Sequence, residues 1–181
     1  MRGRRPRTIL QSMAPRRAAR LKPRSSETAE HAADPGAARA AAVAWLARRD
    51  LPSGELRERL GARGFAAEAT AAALAALAAE GALDDERYAH NYVAYHAGRG
   101  RGPIRIGADL RARGLPPETI EAALASGPDW RAAAAAARTR RFGRAAPASW
   151  REKARQARFL QYRGFSADHI RAATGADPDT D

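Results

Sequence analysis

The sequence predicts an all-α fold: three tandem three-helix repeats, helix-turn-helix-like, stacked into an elongated array behind a disordered basic N-terminal arm. Three observations predict it. One short pattern recurs, as Leu60-Gly61-Ala62-Arg63-Gly64-Phe65, Leu110-Arg111-Ala112-Arg113-Gly114-Leu115 and Leu160-Gln161-Tyr162-Arg163-Gly164-Phe165, with its second glycine-bearing position spaced fifty residues apart. A fixed period of this size marks a tandem array. Apolar residues recur at helical spacing with no sustained alternating run, in a chain rich in Ala, Arg, Leu and Glu, which favour helix. Each copy also fits a helix ending. A glycine at C′ adopts the left-handed backbone, and the apolar residue after it folds back on C3. That assigns C′ to Gly64, Gly114 and Gly164, C″ to Phe65, Leu115 and Phe165, and C3 to Leu60, Leu110 and Leu160.

The register continues past the turn. Glu68, Glu118 and Asp168 fall in the first turn of a following helix, where the dipole favours a carboxylate. Ile120 and Ile170 share one position, and Leu74 and Leu124 another. Alanine richness alone does not place Leu, Arg, Gly and an acid in step. A lone three-helix unit of this size has a small core, so the units are expected to stack on their neighbours.

Residues 1–36 carry Pro6, Pro15, Pro23 and Pro35, lack periodicity and are mostly polar, so disorder is expected there. Repeat 1, residues 37–83, opens with a helix over 37–49 whose apolar stripe is Val43, Leu46 and Ala47, with Trp45 beside it. Ser53 is a candidate cap for the next helix, which places Leu56 and Leu60 on one face. A third helix over 67–79 turns Ala73, Leu74 and Leu77 inward and stops at Gly81. Repeat 2, residues 84–127, begins at Asp84-Asp85-Glu86-Arg87-Tyr88. Tyr88, Tyr92 and Tyr95 form a stripe facing a neighbour. A Gly-rich loop over 98–103 leads to the helix of Ile106 and Leu110, and Pro116-Pro117 begins a short third helix. Repeat 3, residues 128–174, has a helix over 129–141, a break over 143–147, and a last helix pair straddling Gly164, with Ser166 as cap. Residues 175–181 are an acidic frayed end.

The net charge of +12 is uneven. Residues 1–24 hold nine basic side chains and no acid, and residues 98–163 hold fifteen basic against five acidic; residues 25–97 and 164–181 are net acidic. Such clustering favours a polyanion or an acidic protein surface as partner. The arm reads first as a solubilising extension, and second as a salt-sensitive hold on DNA phosphates. With no Cys there is no disulfide frame, which fits a reducing cytoplasm, and no apolar run reaches a membrane span.

No catalytic constellation is expected. Asp84, Asp85 and Glu86 open a helix, where the macrodipole and capping explain them. His90 and His96 miss the i, i+4 spacing of a zinc pair; His31 lies in the arm and His169 on the surface. The glycines at 98, 100 and 102 lack the Gly-Lys-Ser/Thr ending of a phosphate loop. Base readout by a helix-turn-helix is disfavoured as well, because the helices after the turns hold only Arg171 as a basic residue. The cations sit before the turns instead: Arg99, Arg101, Arg105, Arg111 and Arg113, then Arg151, Lys153, Arg155, Arg158 and Arg163. The first five have only Asp109 as an acid near them in sequence. These ten form the candidate binding face, suited to phosphate or acidic protein.

Several segments together resemble the RecX family of regulatory proteins: Ser53-x-Glu55-Leu56-x-x-x-Leu60-x-x-Arg63-Gly64-Phe65; Leu83-Asp84-Asp85-Glu86-Arg87-Tyr88-Ala89; Gly100-Arg101-Gly102-Pro103-x-Arg105-Ile106-x-x-Asp109-Leu110; and Arg158-Phe159-Leu160-x-x-Arg163-Gly164-Phe165-Ser166. The likeness covers about residues 38–174. It implies tandem three-helix repeats and a non-enzymatic, cofactor-free regulator in the cytoplasm. The implied partners are RecA protein and the RecA–single-stranded DNA filament, with filament growth, ATP hydrolysis, strand exchange and SOS coprotease activity restrained. Asp109 stands where the family usually has Glu, shortening its reach. Tyr95-His96-Ala97 lacks the basic residues often found before the Gly-rich loop. The alternative is a non-specific nucleic-acid-binding protein that contacts the DNA phosphate backbone directly through the basic helices and arm.

Overall fold

The computed structural model describes residues 25–175, and every regular element among them is helical. The greater part of the predicted arm and nearly all of the acidic end lie outside the described residues. The ten helices are α1 (Ser25–Ala32), α2 (Pro35–Leu46), α3 (Ser53–Ala62), α4 (Ala67–Ala79), α5 (Asp85–Gly98), α6 (Pro103–Arg111), α7 (Pro117–Ala125), α8 (Trp130–Phe142), α9 (Trp150–Tyr162) and α10 (Ala167–Thr174). They group as α2–α4, α5–α7 and α8–α10, each with its own apolar cluster.

Helix α1 and the start of α2 fall inside the span expected to be disordered. The reason is tertiary and local together. Asp34 caps α2, its carboxylate accepting from the Gly36 N–H at 2.8 Å, with Pro35 in the first turn. The end of α1 rests on the first Gly turn: the Ala66 N–H donates to the Ala32 carbonyl at 2.8 Å, and the His31 ring lies 5.4 Å from Phe65.

All three turns close as the pattern predicts. Gly64, Gly114 and Gly164 have φ of 89°, 76° and 86°. The N–H groups of Phe65, Leu115 and Phe165 reach back to the carbonyls of Leu60, Leu110 and Leu160 at 3.2, 3.4 and 3.1 Å. Those three leucines are wholly buried, and each stabilises its unit by about 1.5–3 kcal/mol.

Other local expectations are corrected. In α2 the buried face is Ala38 and Ala42, while Val43 is exposed. Small residues at i and i+4 let α4 approach closely, and Trp45 and Leu46 pack at the edge. Ser53 does not cap α3. Pro52 holds that position, and Ser53 donates to Asp85 of the next unit from its N–H (2.8 Å) and its Oγ (2.5 Å). His169 is half-buried rather than a surface residue: its Nδ1 accepts from the Ser166 N–H while its own N–H donates to Ser166 Oγ, a reciprocal cap. Tyr88 and Tyr92 are half-buried and stacked, whereas Tyr95, on the same stripe, is exposed.

The units meet by one repeated contact. The Gly turn of each later unit lies on the start of the middle helix of the unit before it. Gly114 sits against Gly54 at the start of α3, so close that a Cβ on Gly54 would lie 2.4 Å from the Arg113 carbonyl oxygen. Gly164 sits against Arg105 at the start of α6, where the Ile104 N–H donates to the Gly164 carbonyl at 3.1 Å and the Gly102 N–H to that of Arg163 at 2.8 Å. Trp130 pins units 2 and 3 further, packing on both cores and donating Nε1–H to the Leu124 carbonyl at 3.1 Å. The middle helix of unit 3 departs from the pattern. From its N-cap Ser149 to Gly164 is fifteen residues, against twelve from Pro52 to Gly64 and from Gly102 to Gly114.

Candidate functional site

The ten predicted cations divide into three groups. Arg101 and Arg113 serve the array. Arg101 bonds Asp109 at 2.8 Å, alongside the Tyr92 hydroxyl. Arg113 reaches Glu55 of unit 1 at 3.4 Å and lies over the Tyr92 ring. Asp109 is therefore not the only acid serving this stretch, because folding brings Glu55 across from a helix fifty-eight residues away. Both arginines are half-buried, with their charge already matched.

Arg99, Arg105 and Arg163 form the second group, at the seam between units 2 and 3. Arg99 lies 3.6 Å over the Tyr95 ring, Arg105 5.6 Å over Tyr162, and Arg163 5.2 Å over Phe159. Their hydrogen bonds go to carbonyls: Arg105 to Tyr162 and Arg163 to Arg99, both at 3.4 Å. Carbonyls and ring faces hold a guanidinium in place without cancelling its charge.

The third group is solvent-facing. Arg151, Arg155 and Arg158 are exposed on α9, with Tyr162 continuing their stripe at i, i+4, i+7 and i+11. Lys153 is half-buried on a different face, and Arg111 is exposed on α6 away from this stripe. Two neighbours complete the stripe that the ten omitted: Arg140 and Arg141 at the end of α8. They close two adjoining clefts. A smaller one of about 180 Å³ is lined by Arg99, Arg140, Arg141 and Arg163 around Phe159. A larger one of about 420 Å³ has Arg141, Arg155 and Arg158 around Phe142, Phe159 and Tyr162. No carboxylate lines either cleft, and none of these six arginines forms an ion pair among the described residues. The basic run 138–141 was the available signal, but it is mixed. Arg138 is buried, donating to the carbonyls of Arg144 and Ala145 and to Gln156.

Repeat register explains why the charge collects here. Arg63, Arg113 and Arg163 share one position, eight residues after Glu55, Arg105 and Arg155, which share another. At the first seam the turn arginine, Arg113, meets Glu55. At the second, the position equivalent to Glu55 is Arg105, so Arg163 finds a second cation instead of an acid.

The acid-opened helix α5 behaves as structure. Asp84 caps it through the Arg87 N–H at 2.8 Å, and Asp85 holds Ser53. His90 Nδ1 lies 3.1 Å from Ser126 Oγ. His96 is half-buried, and burial first, then Arg101, lowers its pKa. Among the described residues no cluster of three or more His, Asp or Glu is placed to hold a metal, and no helix is long and apolar enough to cross a membrane.

Comparison with known proteins adds an independent line. Residues 84–124 match the family model of the second three-helix domain of RecX, and residues 129–174 that of the third. The Regulatory protein RecX of Halorhodospira halophila is 45% identical over 146 residues, covering 80% of this chain and 91% of the relative. That of Pseudomonas savastanoi pv. phaseolicola is 43% identical over 137 residues, covering 75% and 88%. In structure, the fold is similar to RecX from Lactobacillus salivarius, with a TM-score of 0.68 at 20% identity over 77% of this chain and 94% of that one. It is similar also to a crystal structure of regulatory protein RecX, with a TM-score of 0.64 at 22% identity over 81% and 73%. With sequence kinship of this extent over most of both chains, and a shared array of three-helix units, the chain belongs to the RecX family of regulatory proteins.

Proposed function

We propose that the protein restrains a RecA recombinase stoichiometrically, lying along the RecA–single-stranded DNA filament and limiting filament growth, ATP hydrolysis, strand exchange and SOS coprotease activity. Family membership supports a regulatory role of this kind. The observation that carries the reading is the acid-free cationic flank that runs from the second seam onto the α9 stripe of unit 3. A rod of stacked units offers a long face, and one flank of it keeps its arginines unneutralised while the Arg101 and Arg113 charges are matched internally. Unpaired guanidinium groups held by rings and carbonyls are preorganised to meet phosphate or carboxylate. The units over 37–83, 84–127 and 128–174 act as one body in this scheme, in the cytoplasm where the recombinase works.

The test is titration into RecA on single-stranded DNA, following ATP turnover. The parent protein suppresses turnover, and Arg155→Glu/Arg158→Glu suppresses it only at much higher concentration. Full suppression by that variant removes the α9 stripe from the contact. Non-specific nucleic-acid binding is the second reading, favoured by the nine cations and no acid of residues 1–24. It predicts affinity for DNA that falls steeply with salt whether or not RecA is present, and no change in RecA turnover at concentrations where DNA alone is barely bound.

A further inference from the structure

We infer that the larger cleft of unit 3 is a single-stranded nucleic-acid site in its own right, gripping phosphates with Arg141, Arg155 and Arg158 and stacking a base on Tyr162. It deepens the reading above, resting on the seam as the working surface, and names which part of a nucleoprotein partner that surface takes.

The chemistry of the lining carries the inference. A sequence-tolerant single-strand site combines a positive groove with aromatic rings on which unpaired bases stack. Here three arginines and three rings line one cleft with no acid among them. Phe142 is set between Arg141 and Arg155, whose guanidinium carbons lie 5.4 and 5.2 Å from its centroid. Phe142 also meets Phe159 edge to face at 5.3 Å. Those rings position the cations. Tyr162 differs. It is 78% exposed, with Arg105 over its ring at 5.6 Å. A tyrosine this exposed at the end of a helix contributes little to the core, and its open ring face is available to a base. From Arg151 to Tyr162 the stripe on α9 runs about 16 Å, enough for several successive phosphates.

Single-stranded nucleic acid fits better than the other candidates. Duplex bases are already stacked and paired, so Tyr162 would go unused. An acidic protein surface would be matched by the arginines but gives no reason for an open ring beside them.

The experiment uses the full chain, without recombinase, and a labelled oligothymidylate against a duplex of the same length, read by fluorescence anisotropy across a salt series. The arm is identical in every variant, so differences report the cleft. The parent is expected to prefer the single strand. Tyr162→Ala should weaken oligothymidylate binding by about fivefold or more while leaving duplex binding unchanged, and Tyr162→Phe should restore it. Arg155→Ala/Arg158→Ala should weaken binding and lower the single-strand salt slope by about 1.4. Thermal melts of each variant, expected within a degree or two of the parent, separate loss of the site from loss of fold. Equal binding of both strands with no effect of Tyr162→Ala overturns the inference. If the oligothymidylate does not bind at low salt while RecA turnover is still suppressed through Arg155 and Arg158, the α9 stripe meets protein instead. That result discards the nucleic-acid site and leaves the regulatory reading standing.

Discussion

Two glycines in helix α3 allow the stacked array to be tested by the sign of an effect. Gly54 and Gly61 lie one near each end of the same helix. Replacing a helical glycine by alanine ordinarily stabilises by up to about 1 kcal/mol, because the unfolded chain loses freedom and the helix gains a strong former. Gly61 has nothing within 4 Å of the position a Cβ would take, so Gly61→Ala should show this gain. At Gly54 the added methyl would lie 2.4 Å from the Arg113 carbonyl oxygen and 2.6 Å from the Gly114 Cα. Both are backbone atoms of the next unit and cannot rotate aside, so the two units must separate. Overpacking of this kind costs about 1–3 kcal/mol, and forced separation of backbones lies at the upper end. Net of the helix gain, Gly54→Ala should destabilise by roughly 1–2 kcal/mol. In thermal unfolding followed by far-UV circular dichroism, that is a fall of about 3–8 °C, against a rise of about 2–3 °C for Gly61→Ala. If Gly54→Ala raises the midpoint as Gly61→Ala does, units 1 and 2 do not meet at this contact, and the seam argument loses its geometric basis.

Four further outcomes follow from the same contacts. Asp85→Ala leaves the Ser53 N–H and hydroxyl without their shared acceptor, and should cost about 1–3 kcal/mol in urea unfolding, with Asp85→Asn costing less. Arg138→Ala should destabilise by about 2–3 kcal/mol, since it removes hydrogen bonds from a buried charged group to two carbonyls and Gln156, whereas exposed Arg141→Ala should stay within about 0.5 kcal/mol. His96 and His169 both have folded-state pKa values lowered, by burial first. Arg101, Arg113 and Arg99 reinforce the shift at His96 against Asp109, and Arg131 reinforces it at His169 against Asp168 and Asp129. The unfolded chain then binds more protons, so stability is full above about pH 6.5 and declines as pH falls below it; melts at stepped pH check this, and His96→Gln should flatten the slope. Arg105→Glu places a carboxylate where Glu55 stands in the first seam, so stability should change by under about 1 kcal/mol while suppression of RecA turnover weakens; unchanged suppression removes Arg105 from the proposed face.

What was legible in the sequence was local. The turn at Gly64, Gly114 and Gly164 is made by bonds within six residues, so pattern alone places it, together with the leucines it buries. The end of α4 is likewise set locally, at Gly81 with its φ of 71°. What was not legible depends on residues distant in the chain. Ser53 reads as a cap because serine before a helix is one in isolation; only the arrival of Asp85 redirects both its donors. The candidate face was legible as a charge excess, but not in its division. Nothing in the string separates Arg113, matched by Glu55, from Arg155, which meets the Phe142 ring and no acid among the described residues. Arg138 is likewise indistinguishable in sequence from Arg140 and Arg141. Helix α1 was missed because its contact with Phe65 and Ala66 lies outside any period.

The second seam also accounts for where the positive charge collects. A seam that repeats its geometry need not repeat its chemistry, and here the acid of the first seam becomes Arg105 in the second. With no acid pairing either Arg105 or Arg163 among the described residues, the second seam relies on backbone bonds from Gly102 and Ile104, on Trp130, and on a ring beside each guanidinium. That arrangement holds the units together while leaving their positive field intact. In α9 three extra residues then carry the helix past the point where another Gly turn would sit. The start of the middle helix, which in units 1 and 2 is covered by the next unit, is replaced in unit 3 by an added turn carrying Arg151, exposed. This gives α9 an outer face on which Arg151, Arg155 and Arg158 pair with no acid among the described residues. An acid at position 105, as Glu55 is at the first seam, would lower the positive charge that Arg105 presents beside the exposed Arg151, Arg155 and Arg158.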